Sequence, residues 1–128
     1  MTPVRTRRPA LALLLAVLLA IGAAGVAALP AVAHHGWGGY DADRVLTLTG
    51  TVQRLAYQNP HAMLNLQADG KVWQVVLAPP GRMTARGLPD GAVRTGQTVT
   101  VVGYPSKSDP AELRAERITV GDRKVELR

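Results

Sequence analysis

Between Val45 and Leu77 the chain alternates apolar and polar residues in three runs, and a side-chain period of two admits β-strands and little else. Val45-Leu46-Thr47-Leu48-Thr49 opens the first run, which resumes beyond Gly50 as Thr51-Val52-Gln53-Arg54-Leu55. A glycine in mid-strand predicts a bulge or a sharp bend at that point. Asn59-Pro60 breaks the pattern. From His61 to Gln67 it returns, with Ala62, Leu64 and Leu66 on one face and His61, Met63 and Asn65 on the other. Asp69-Gly70 is a two-residue hairpin signal, and Lys71 to Leu77 reads as the returning strand.

After Pro79-Pro80 the period changes. Gly81 to Arg86 suits one or two helical turns, with Pro80 at the first helical position, Gly87 as a left-handed cap and Leu88 folding back on Met83. Gln97 to Tyr104, Glu112 to Val120 and Lys124 to Leu127 then read as strands. Three strands, a short helix and two or three more strands is the order of an OB-fold. The expected fold class is therefore all-β with one short helix: a small OB-fold-like Greek-key barrel following an N-terminal signal helix. Other small β-barrels and sandwiches share this pattern.

The first 33 residues follow different rules. Arg5, Arg7 and Arg8 make a basic opening, Leu11 to Leu19 is an apolar run, and Ala31-Val32-Ala33 is a small-x-small cleavage signature. Ala10 to Ala28 also approaches the roughly 20 residues that span a bilayer. Gly22, Gly25, Pro30 and the polar His-Gly sequence after the triplet favour cleavage over retention as an anchor. Thr6-Arg7-Arg8 is only weakly like a twin-arginine signal, leaving the export route open. The expected organisation is a signal peptide over 1–33, an arm over 34–44 and a barrel over 45–128. Such a chain is exported, periplasmic or extracellular, and meets a membrane only through the signal before cleavage.

Removing the signal changes the charge. Three of the 15 Lys+Arg leave with it, so 12 remain against all 9 Asp+Glu and the net charge falls from +6 to +3. Arg82, Arg86, Arg94, Arg114, Arg117, Arg123 and Lys124 are interspersed with acids, an ordinary solvated surface and not a phosphate track, so no nucleic-acid partner is expected. The absence of cysteine excludes disulfides, thiolate ligands and thiol catalysis. Ser106 and Ser108 stand without a histidine motif, and Asp41 and Asp43 lead into a strand, so no enzyme is expected, an oxidative copper enzyme built on the histidines being the one alternative left open.

Cleavage after Ala33 makes His34 the amino terminus, where its α-amino and ring nitrogens can close on one metal ion. His61 is the third and last histidine, beside the turn of Asn59-Pro60. The residues compose a copper site: His34 as a two-toothed clamp, His61 as opposing imidazole, and His35 or Met63 as a further ligand. Imidazole and amine nitrogens suit Cu(II), whereas a thioether favours Cu(I). His61 and Met63 are two apart on a strand and share a face. Their bland roles are a solvated terminus, a turn hydrogen bond and loop packing.

His34-His35-Gly36-Trp37, Asp41 through Leu48-Thr49-Gly50-Thr51-Val52, and Asn59-Pro60-His61-Ala62 together resemble a family of short exported bacterial proteins of unknown function. Gly103-Tyr104 and Ala115-Glu116-Arg117 are also similar to it. The resemblance covers essentially the whole chain after the signal. It implies an OB-like exported domain and no established activity. Met63 departs from it, standing where an aromatic residue is common.

Two other readings use different residues. Ligand binding on the barrel face would draw on Tyr57 and Arg54, with Arg82 and Arg86 placed four apart to grip an anion, whereas Trp73 shares the parity of Val75 and Leu77 and belongs to the core. An interaction module would present Trp37 and Tyr40, within Gly36-Trp37-Gly38-Gly39-Tyr40, to a cell-envelope protein. The competing role for those two aromatics is to plug the open end of the barrel.

Overall fold

The computed structural model describes residues 36–128. The signal expected over 1–33 and the His34-His35 pair lie outside the described residues. A single 3-10 turn, Trp37–Gly39, precedes strands β1 (Leu46–Ala56), β2 (Met63–Ala68) and β3 (Lys71–Val76). Helix α1 (Pro80–Ala85) comes next, then β4 (Thr98–Pro105), β5 (Glu112–Val120) and β6 (Arg123–Glu126). Among the described residues no helix is long and apolar enough to cross a membrane.

β1 is long enough to serve two neighbours. Its first half pairs antiparallel with β4, from Leu46↔Gly103 to Thr51↔Thr98, and its second half with β2, from Thr51↔Gln67 to Ala56↔Met63. β2 and β3 form the hairpin expected at Asp69-Gly70, whose φ values of 50° and 77° give the left-handed pair that such a turn requires. β3 then runs parallel to the start of β5, from Gln74↔Glu112 to Val76↔Arg114, and β5 pairs with β4. The circuit β1-β2-β3-β5-β4 closes on itself, with β6 added to the edge of β5. This is the small OB-like barrel expected from the order of elements.

Gly50 differs from its expectation. The register shift in β1 falls between Val52 and Arg54, one turn of the pleat further on. Gly50 instead lets β2 come close: a Cβ at that position would stand 2.9 Å from the Cβ of Ala68. The irregularity lies beyond the glycine, which supplies room.

Alternation decides the interior. Leu64, Leu66, Val75, Val101, Leu113 and Ile118 are fully buried, and Trp73 joins the same cluster. Met83 enters that core from α1 and Leu88 folds back beside it. The Leu88 amide donates to the Met83 carbonyl at 2.8 Å and Gly87, at φ 88°, donates to Thr84 at 3.0 Å, so the helix ends in a Schellman cap. The Asn59-Pro60 peptide is cis, and the β2–β3 ladder extends past Met63 through Ala62, which donates to Ala78 and accepts from Leu77.

Candidate functional site

The outer face of the barrel carries a row set by register alone. Met63 pairs with Val76, Val76 with Arg114, and Arg114 with Tyr104. Leu113 and Ala115 point into the core, so Glu112, Arg114 and Glu116 point away from it. Val76 is nevertheless only 8% exposed and lies outside the core cluster, which means that this outward face is covered.

The segment from Gly36 to Arg44 helps to cover it. Tyr40 bridges to Ser106, the Asp41 amide donates to Pro105 at 2.9 Å and the Lys107 amide donates to Gly39 at 3.0 Å. These bonds continue the sheet edge and hold the arm against the loop between β4 and β5. Tyr40 is buried, and its hydroxyl donates to Glu112 Oε1 at 2.7 Å. Burial first, and then the Glu112 carboxylate, push that hydroxyl up to about 12. Trp37 meets the Tyr104 ring edge-on at 6.0 Å, and Tyr104 donates to Glu116 Oε2 at 2.9 Å, the bond that chiefly raises its own pKa. Trp37 and Tyr40 therefore pack on the outer wall of the barrel, against the outward-facing Tyr104, Glu112 and Arg114, and not in its end.

Arg114 ties this covering to His61. Its guanidinium carbon lies 4.7 Å from the centre of the Trp37 ring and 5.7 Å from that of Tyr40. Its Nη2 stands 3.1 Å from His61 Nε2, the side chain at the mouth of β2. Arg128 reaches the same Trp37 ring, also at 4.7 Å. Such cation–π contacts contribute roughly 0.5–1 kcal/mol each where exposed and more where desolvated. The Nε of Arg114 is buried without a hydrogen-bond partner, so the guanidinium is held by rings and an imidazole more than by carboxylates. Arg114 is the residue that sequence reading missed. Alternation in β5 turns it outward, but only the folded arm shows that this outward position is covered.

His61 and Met63 share the outward face, as their spacing requires, and both are half-buried. Among the described residues, no three His, Cys, Asp or Glu side chains gather closely enough to hold a metal ion. A site with three such ligands therefore has to include His34 or His35. The residues of the barrel-face reading are differently employed. Tyr57 Oη lies 3.0 Å from the Pro80 carbonyl, 2.8 Å from Thr84 Oγ1 and 2.9 Å from the Leu88 carbonyl, fastening the end of β1 to α1. Arg82 donates to Leu127, and Arg86 to Glu126 and Arg128, all backbone carbonyls at the end of β6 or just beyond it. These bonds anchor the C-terminal residues to the helix. Arg54 is exposed beside the register shift in β1.

Fold and surface together define a small closed OB-like barrel whose outer wall bears a covered arginine between an aromatic arm and a histidine. The chain belongs to the family of unknown function DUF6152, whose model matches residues 23–113. That match takes in the arm, His61 and β1 through β4, and stops one residue short of Arg114. A search of curated proteins found no match.

Proposed function

We propose that this chain is an exported, non-enzymatic binding protein that takes up one copper ion between its processed amino terminus and His61. The supporting observation is Arg114, one guanidinium in contact with both the Trp37 ring and His61 Nε2. Trp37 is three residues from His34, a length of chain that spans at most about 11 Å. Met63, on the same face, is the soft ligand if the ion is Cu(I).

The guanidinium has a definite part in this reading. A metal ligated through Nε2 must displace Arg114 from the imidazole, and the displaced cation retains the faces of Trp37 and Tyr40. The partner for delivery or removal of the ion is a protein of the cell envelope. Calorimetric titration of exported protein, its N-terminus verified by intact mass, should give one Cu(II) per chain. His61→Ala should weaken binding at least tenfold. Arg114→Met should strengthen it, because a competing cation is removed. Absence of uptake by correctly processed protein, or equal uptake by protein with an extra N-terminal Met, refutes the proposal.

A further inference from the structure

The fold sorts charges that the sequence intersperses. Arg82 and Arg86 at α1, Arg117 of β5, Arg123 and Lys124 of β6, and Arg128 beyond it form one connected group. Arg82 donates to the Leu127 carbonyl, Arg86 to those of Glu126 and Arg128, and Arg123 to that of Gly87 just past the helix. Arg117 pairs with Glu126, whose carboxyl is held below its usual range first by that bond and further by the nearby charges of Lys124 and Arg86. Against these six cations stand three acids, Glu116, Asp122 and Glu126, leaving a side-chain charge of +3. Elsewhere in residues 34–128, six basic side chains meet six acidic ones, so the entire net charge is gathered at this end of the barrel.

A carbonyl carries no net charge, so the backbone hydrogen bonds hold the guanidiniums in place without neutralising them. Arg82, Arg86, Arg123, Lys124 and Arg128 are all exposed. The face has no apolar anchor. Val125 and Leu127 of the same segment are buried, and the exposed large hydrophobics among the described residues, Val45 and Val72, belong to the approach to β1 and to β3. A stable protein interface has a desolvated core poor in charge. Cations spread around β6 without such a core suit a surface of repeated anions instead.

We propose that this face docks on anionic lipid headgroups, so that the barrel rests on a membrane surface after its signal is gone. Membrane contact, expected only of the signal, is thereby extended to the barrel itself. Each basic residue beside an anionic bilayer strengthens attachment roughly fivefold, so three net charges favour it about a hundredfold over a neutral one. The attraction falls off within a Debye length, roughly 10 Å at 0.1 M salt, and is lost in concentrated salt. It requires no metal.

The test is co-sedimentation of exported, metal-free protein, its N-terminus verified by intact mass, with vesicles of equal parts phosphatidylglycerol and phosphatidylcholine at low salt. Partitioning should exceed that to phosphatidylcholine alone at least tenfold, and about 0.5 M sodium chloride should release the protein. Arg123→Gln with Lys124→Gln should weaken binding at least tenfold. Arg44→Gln with Arg54→Gln removes the same charge elsewhere and should weaken it by less than about threefold. Asp122→Asn should strengthen binding about fivefold, a gain that unfolding cannot imitate. No binding to the anionic vesicles, binding that persists in concentrated salt, equal losses in the two double variants, or capture by polyglutamate with none by the vesicles overturns the proposal.

Discussion

Replacing Gly103 by alanine should cost the fold about 3 kcal/mol, at the top of the range for overpacking a well-packed site. Backbone entropy predicts the opposite sign, since alanine in a strand is favoured over glycine by roughly 0.5–1 kcal/mol. The structure decides between them. β4 shifts register between Val102 and Gly103, and Gly103 there faces Ala115 of β5. An added Cβ would stand 2.8 Å from the Cα of Ala115 and 2.8 Å from the carbonyl carbon of Arg114, and closer still to that carbonyl oxygen. Carbon atoms settle at roughly 3.5–4.0 Å, so β5 must retreat by about 1 Å. Everything met is backbone of a strand whose Leu113 and Ala115 are buried, leaving no flexible side chain to yield. At roughly 4–8 °C per kcal/mol for a domain of this size, the Tm should fall by about 12–24 °C. Urea unfolding, monitored by tryptophan fluorescence and circular dichroism, measures the change. Gly38→Ala is the companion, because nothing lies within 4 Å of its added Cβ, and it should stay within about 0.5 kcal/mol of the parent. Equal stability of the two variants would refute the steric argument.

Two further substitutions examine the frame and the arm. Tyr57→Phe should lose about 1–2 kcal/mol in urea unfolding, because the hydroxyl that joins β1 to α1 makes hydrogen bonds worth roughly 0.5–1.5 kcal/mol each; an unchanged midpoint would mean that it does not hold the helix. Tyr40 has a folded pKa of about 12 against an ordinary 10.0, so the folded state keeps its proton longer than the unfolded chain does. Its contribution is therefore complete below pH 10 and is lost as pH rises towards 12. Tyr40→Phe should reduce the decline in unfolding free energy across that interval, and identical slopes for parent and variant would contradict the assignment.

The strands, their faces, the Asp69-Gly70 turn and the helix with its Gly87 cap were legible in the sequence because each is dictated within a few residues by period or turn chemistry. Leu64 and Leu66 had to be buried if His61 and Met63 were outward, and they are. The covered outer wall was not legible. Arg114 sits in an alternating strand like any solvated basic residue, and its environment is made by Trp37 and Tyr40, some 75 positions earlier in the chain. Tyr57, Arg82 and Arg86 looked available for the complementary reason: their partners are carbonyls, which no side-chain pattern announces. Gly50 predicts a bulge or a sharp bend, but a strand glycine signals a close approach equally well, and only the positions of Gln67 and Ala68 distinguish them.

The loop between β4 and β5 holds the arm and also borders a cavity beside the start of β1. Ser106 Oγ accepts from the amides of Ser108 and Asp109, and Asp109 Oδ1 accepts from the amide of Ala111, so the loop is internally fastened. On one side Lys107 donates to Gly38 and Gly39 of the arm, and on the other it lines the cavity with Ser106, Ser108 and Pro110. The arm therefore pairs with a loop whose backbone is already held, and its position follows from that fastening.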